Sequence, residues 1–214
     1  MDEEYWQAVR TVRLDVADLL ETLSANEWDA HSLCRGWRVR DVAGHLSIVP
    51  TITTWELLSA GPRTGFNMHR MNTHVALRHG SRPPEEILAH LRANAGTRRT
   101  ARVLDVRNSL FDVIVHSQDI ALPLGRTFAV PAEYTCIALQ RVWAMGWPFR
   151  AARRLAGLTL HATDTDWAVG SGPQVTGPAL SLLLLLTGRT STAVPSLSGP
   201  GLATVRTRLS PSAA

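Results

Sequence analysis

The stretch FDVIVHSQD, residues 111–119, sets Asp112 and His116 four residues apart, with Asp119 three further on. On an α-helix this spacing stacks the three side chains in one stripe, the Cβ atoms of the first pair about 5–6 Å apart. A second stretch, GWRVRDVAGHL at 36–46, carries a lone His45 on another amphipathic helix. Two histidines and a carboxylate from facing helices of a bundle can hold a divalent metal and leave one position open, as a catalytic zinc site requires.

The rest of the chain supplies the helices that such a site needs. Residues 3–24 read as a helix, because Trp6, Val9, Val16, Ala17 and Leu20 recur at helical spacing with Arg10 and Arg13 flanking the stripe. Ser24, Asn26 and Gly36 bracket a connector that holds Trp28 and Trp37. The next helix starts near Arg38, with Val39, Val42, Ala43, Leu46 and Val49 as its apolar face and Asp41 where the helix dipole favours an acid. Pro50 is expected to kink it and Gly61-Pro62 to stop it. Residues 63–82 show no clear period. Pro83-Pro84-Glu85-Glu86 opens a helix that continues through Ile87, Leu88 and Leu91 toward Gly96. The helix of Asp112 and His116 runs from Asn108 or Ser109 to Pro123, and another follows Pro131. Five helical segments with short links predict a mainly α antiparallel bundle over residues 1–150.

After Leu155 the texture changes, and residues 151–214 read as a small α+β domain packed on the bundle. Residues 157–162 and 167–169 alternate as strands, separated by the turn Asp164-Thr165-Asp166, and Gly170–Pro173 is a second turn. Residues 178–186 form a short apolar helix, and 202–209 alternates again.

With 45% apolar residues in 214, the chain can bury a real core. All 22 basic residues are Arg, and they are scattered, so the net charge of +4 points to a solvated surface and no nucleic-acid partner. Cys34 and Cys136 have no CxxC spacing, which favours a reducing interior. The opening MDEEYWQ does not read as a signal peptide, and the aliphatic run Leu182–Leu186 is too short for a bilayer, so a cytoplasmic protein without a membrane partner is expected.

Spacing alone leaves the metal reading balanced against a structural one. Asp112 follows Ser109 at the spacing of a capping box, and His45 and His116 read equally as partly buried helix histidines. Asp119 adds a carboxylate able to orient an imidazole from behind. His69, His74 and His79 recur every five residues and do not keep one helical face. His90 lies opposite the apolar stripe of its helix and is expected in solvent, and His161 has no partner at ligand spacing. Cys34 reads as a small packed residue rather than an activated thiol. The chain holds no GxGxxG, GxxxxGK[ST] or GxSxG motif.

Three ordered blocks carry a family resemblance over roughly residues 3–209: WDAHSLCRGWRVRDVAGHL (28–46), DVIVHSQDIALPLG (112–125) and LAGLTLHATDTDWAVGSGPQVTGPALSLLLLLTGR (155–189). Together they resemble the mycothiol-dependent maleylpyruvate isomerase family. The resemblance implies a DinB-like antiparallel four-helix bundle followed by a small α+β C-terminal domain. It implies a divalent metal, usually Zn2+, on His45, Asp112 and His116, with a catalytic part for Asp119 and for an arginine of the C-terminal domain, best matched by Arg189. The family's characterised enzyme carries Glu where Asp112 stands, so the carboxylate here is drawn back by one methylene.

The resemblance further implies mycothiol, the low-molecular-weight thiol of actinobacteria, as cosubstrate. A metal-bound thiolate would attack a small-molecule electrophile, its carboxylate held by Arg189, in an S-transferase or a cis–trans isomerase. The alternative is a non-catalytic metal-binding bundle, a sensor or structural protein. A monomer and a homodimer are both compatible with the sequence.

Overall fold

The computed structural model describes residues 3–209; Met1 and Asp2 of the acidic opening, and the tail from Ser210, lie outside the described residues. The chain forms two compact units, residues up to Ala129 and residues from Val130 onward. The division precedes the expected boundary at 150/151, because the helix Ala132–Ala144 packs against the leucine-rich helix of the second unit.

The first unit is helical: α1 (Glu3–Glu21), α2 (Ala25–Asp29), α3 (Val39–Ile48), α4 (Thr54–Ser59), α5 (Gly61–Thr64), α6 (Met68–Gly80), α7 (Pro84–Ala93) and α8 (Ser109–Ala121). α3 is the hub, packing on α6, α7 and α8, while α1 packs on α7 and α8. The expected kink at Pro50 is instead a termination. α3 ends at Ile48, since the proline ring cannot continue the ladder, and α4 is a separate helix capped by Thr53, whose hydroxyl accepts the Glu56 N–H at 3.0 Å.

The unreadable stretch 63–82 is mostly α6. Its N-terminus is held by Asn67, which accepts the Arg70 N–H at 3.1 Å, and its buried face is the discontinuous set Met71, Val75, Ala76 and His79. His79 is buried with Nε2 3.0 Å from Glu56 Oε1, so a polar residue occupies a core position and blurs the hydrophobic period. His90 is likewise not in open solvent: its Nδ1–H donates to Ser47 O at 2.9 Å, because α7 lies against α3.

Two local devices hold α3 in place. Asp41 accepts the Arg38 N–H at 2.9 Å and also receives the Arg38 guanidinium, which closes the helix start. Gly44 faces Gly80 of α6 so closely that a Cβ on Gly44 would lie 2.7 Å from Gly80 Cα, and one on Gly80 would lie 2.7 Å from Asp41 Cα. The two helices therefore meet backbone to backbone. Elsewhere the core is aliphatic. Leu20, Ile87, Leu91, Leu110, Ile114 and Ile120 are all fully buried, each worth about 1.5–3 kcal/mol of transfer free energy.

The second unit comprises α9 (Ala132–Ala144), α10 (Ala151–Arg154), β1 (Thr159–Ala162), β2 (Ala168–Gly170), β3 (Gln174–Gly177), α11 (Ala179–Leu186), α12 (Thr190–Ala193) and α13 (Leu202–Leu209). The sheet order is β2-β1-β3, with β1 antiparallel to β2 and parallel to β3. α11, almost wholly aliphatic, packs on α9, α12 and β1. The third strand was not expected, since QVTG buries a single large side chain, Val175, and shows no length of alternation. Residues 202–209 are a helix and not a strand: Leu202 and Val205, three apart, are the buried pair, and Arg206 and Arg208 project outward. Among the described residues no helix is long and apolar enough to cross a membrane.

Two outcomes follow from these contacts. Gly44→Ala drives a methyl into the α6 backbone and should cost about 1–3 kcal/mol in denaturant unfolding; an unchanged midpoint would show that the helices can part freely. Glu27 accepts the Ser24 N–H and hydroxyl and the Arg126 guanidinium, which together hold its carboxyl down at about 2, below its ordinary 4.5. A depressed carboxyl stabilises above its unfolded value and loses that contribution as pH falls through its folded one. Wild type should therefore exceed Glu27→Ala in thermal stability above pH 4.5, with the gap closing toward pH 2.

Candidate metal centre

Every α8 residue is buried except Asp112 and His116, whose side chains are 25% and 14% exposed. One turn apart, they form a narrow polar window in an otherwise apolar core helix. The capping-box alternative for Asp112 is not what the helix adopts. Asn108 is the N-cap, without a side-chain bond to the helix, and the Ser109 hydroxyl donates instead to Val106 O at 2.9 Å. The Asp112 carboxylate faces histidines.

α3 delivers His45 to the same point. His45 Nε2 lies 3.4 Å from Asp112 Oδ2, His116 Nε2 lies 3.6 Å from Asp112 Oδ1, and the two imidazole rings meet edge to face at 4.8 Å. His45 is 5% exposed, and its Nε2 is a buried polar atom without a hydrogen-bond partner among the described residues. A desolvated nitrogen in that position costs about 1–3 kcal/mol unless something binds it.

Behind His116 lies a second layer. Its Nδ1 is 2.8 Å from Oδ2 of Asp119, a carboxylate with no exposed surface, so Nδ1 carries the donated proton and Nε2 is left to face Asp112. The Cys34 thiol donates to the same Asp119 oxygen at 3.1 Å and stands 3.6 Å from His116 Nδ1. Trp37 lies nearly parallel to the His116 ring at 6.2 Å and tilted to His45 at 5.5 Å. On α1, Arg13 is buried, donates to Ala95 O and Thr97 O at 3.0 and 2.9 Å, and feels the Asp112 charge. Burial pulls its guanidinium down to about 10, against the attraction of Asp112, so it remains a cation at neutral pH.

The sequence groups His45, Asp112, His116 and Asp119, and the fold brings all four together. The same sequence reads Cys34 as a small packed residue and gives Trp37 and Arg13 no part in the site; the signal for the first two is their place in the CRGW run just ahead of His45. Arg189 lies in the second unit, at the start of α12, where its guanidinium donates to Thr187 O at 2.9 Å.

The charge states are set by these neighbours. Burial pushes the Asp112 carboxyl up, but His45, His116 and Arg13 outweigh it and hold it below the usual carboxylate range. Burial also works against a charged His116, yet Cys34, the Asp119 hydrogen bond and Asp112 prevail, and the imidazole titrates well above the ordinary 6.5.

His45, Asp112 and His116 offer three ligand atoms within 4.8 Å of one another, and so do Cys34, His116 and Asp119. The first group fits a metal better. Its two imidazoles approach the Asp112 carboxylate at 3.4 Å (to Oδ2) and 3.6 Å (to Oδ1), longer than ordinary hydrogen bonds, and His45 Nε2 makes no hydrogen bond among the described residues. The second group has contacts of 2.8 and 3.1 Å, the lengths of hydrogen bonds already made. The shorter aspartate arm thus still reaches both imidazoles.

A helical unit with a buried two-histidine, one-carboxylate cluster, in a chain that also carries a small α+β unit, is the class of protein defined here. Residues 9–107 match the family model of the mycothiol maleylpyruvate isomerase N-terminal domain. The match includes Cys34, Trp37 and His45 and ends ahead of α8. Two solved structures share the fold. One is a mycothiol-dependent maleylpyruvate isomerase, 15% identical, with a TM-score of 0.60 and 92% of each chain covered. The other is a histidine-to-alanine mutant of a mycothiol-dependent maleylpyruvate isomerase, 14% identical, with a TM-score of 0.62 and the same 92% coverage of both chains. No curated protein sequence matches the chain.

A metal ligand must be unprotonated, so an ion entering this cluster displaces the His116 Nε2 proton. Because that imidazole is raised above 6.5, divalent-metal affinity should fall as pH drops, by up to about tenfold per pH unit below its folded pKa. Without metal the sign reverses: a raised histidine stabilises fully below its unfolded value and loses this as pH rises through the folded one. Chelator competition between about pH 8 and about pH 6 reads the first effect; a flat affinity would mean that His116 is not a ligand.

Proposed function

We propose that this chain is a metal-dependent, mycothiol-using enzyme, a maleylpyruvate-isomerase-like cis–trans isomerase or an S-transferase, acting on a small electrophile. The observation that carries the reading is the buried, unpartnered His45 Nε2, set with Asp112 and His116 at ligand spacing. The match of residues 9–107 to the mycothiol maleylpyruvate isomerase N-terminal domain supports the thiol.

In this reading His45, Asp112 and His116 hold one divalent ion, and Zn2+ suits two imidazoles and a carboxylate with a position left open. When bound, such an ion supplies the Lewis acidity that deprotonates a coordinating thiol at neutral pH. The chain's own residues do the rest. Asp112 contributes the single negative charge among the three ligands, so the site retains a net positive charge that favours an anionic thiol. Asp119 keeps the proton of His116 on Nδ1 and the Nε2 lone pair directed inward. Trp37, itself buried, covers the imidazoles and keeps water from that side. Arg189 is proposed to bind a substrate carboxylate, for which its planar fork is suited.

Metal analysis of the purified protein should show about one divalent ion per chain, lost in His116→Ala. Incubation with mycothiol and an electrophilic enoyl acid, followed by mass spectrometry, should give metal-dependent isomerisation or a thiol adduct. Equal metal in wild type and variant would refute the site. A full metal complement with no thiol-dependent turnover would refute the enzyme and leave a metal-binding protein.

A further inference from the structure

We propose that Cys34 is a positioning residue of the metal centre, whose thiol acts through the buried Asp119 carboxylate to fix the ring and tautomer of His116. The proposal rests on the His45–Asp112–His116 metal reading and assigns a role to a side chain outside that ligand set.

Four observations place the thiol. Cys34 Sγ donates to Asp119 Oδ2 at 3.1 Å, and that same oxygen accepts His116 Nδ1–H at 2.8 Å, so thiol, carboxylate and imidazole form one hydrogen-bonded chain. Asp119 has no exposed side-chain surface, so protein donors and not bulk water must satisfy this carboxylate. The loop carrying Cys34 is closed on itself. Ser32 Oγ accepts the Cys34 N–H at 3.1 Å and donates to Trp37 O at 2.9 Å, while Trp37 N–H donates to Cys34 O at 2.9 Å. The loop is also tied to α8, since Leu33 N–H donates to Asp119 O at 3.1 Å. Backbone and thiol therefore converge on one residue. At the far end of the chain, His45 Nε2, nine-tenths buried and unpartnered, points to a ligand on the face that His116 Nε2 also lines.

The physical consequence is directional. An imidazole held at Nδ1 by a well-satisfied carboxylate keeps its Nε2 lone pair aimed at one point. With the thiol removed, Asp119 Oδ2 loses a donor in a place without exposed surface, and the hydrogen bond that orients the His116 ring is free to shift. The Cys34 thiol meets the Nδ1 side of the ring, whereas Nε2 faces Asp112. Packing alone would not require an S–H donor, so the hydroxyl of serine should substitute for it and a methyl should not.

The test is titration of the apo protein with Zn2+ against a chromogenic chelator and with Co2+ by visible absorption, in wild type, Cys34→Ala, Cys34→Ser and His116→Ala. Outer partners of ligating histidines typically contribute 10–100-fold in affinity. Cys34→Ala should weaken Zn2+ about tenfold and shift the Co2+ ligand-field bands. Cys34→Ser should stay within about threefold of wild type with its bands in place. Wild-type affinity and spectrum in Cys34→Ala, with binding lost in His116→Ala, would overturn the positioning role alone. A sulfur-to-cobalt charge-transfer band in wild type, absent in both Cys34 variants, would make Cys34 a direct ligand and overturn it too. Undiminished binding in His116→Ala would overturn the metal reading itself and this proposal with it. Equal weakening in the serine and alanine variants would reduce Cys34 to a packing residue.

Discussion

The hydrogen bond between His116 and Asp119 is 2.8 Å long, and its carboxylate is sealed from water. Burying such a pair is costly unless its remaining valences are met, and the first unit is arranged to meet them. The loop ahead of α3 supplies a thiol to the Asp119 carboxylate and a backbone N–H to the Asp119 carbonyl, and Trp37 covers the imidazole. α8 can carry this pair through the core because its other faces are apolar and fully covered.

The second constraint is the depth at which α3 lies. Gly44 and Gly80 let α3 and α6 touch backbone to backbone, and the residue after Gly44 is His45. The helix contact thus governs the distance from His45 Nε2 to the α8 pair. Arg38, paired with Asp41, closes the start of the same helix. Packing and site geometry are set by one short segment.

Legibility from sequence varied with the kind of signal. α1, α3, α7 and α8 were readable because apolar residues recur at 3.6-residue spacing with acids or proline at their starts. α6 was not, because His79 fills a core position through its bond to Glu56 and its apolar set is sparse. Residues 202–209 misled because alternating small and polar residues in an eight-residue run match both periods, and only the burial of Leu202 and Val205 separates them. Cys34 looked like packing because a thiol next to arginine and glycine announces no partner; its partners lie 82 and 85 residues along the chain.

By itself the sequence determined the local content of the site: two turns of helix joining Asp112, His116 and Asp119, and a separate helix bearing His45. Those relations follow from backbone periodicity and need no other part of the chain. Tertiary structure decided the remainder: that His45 Nε2 is buried without a hydrogen bond among the described residues, that Asp112 turns to two imidazoles rather than to a helix cap, and that a thiol closes the chain behind His116. Whether a polar atom is solvated, capped or paired depends on which helix covers it, and that is fixed by packing between segments far apart in sequence.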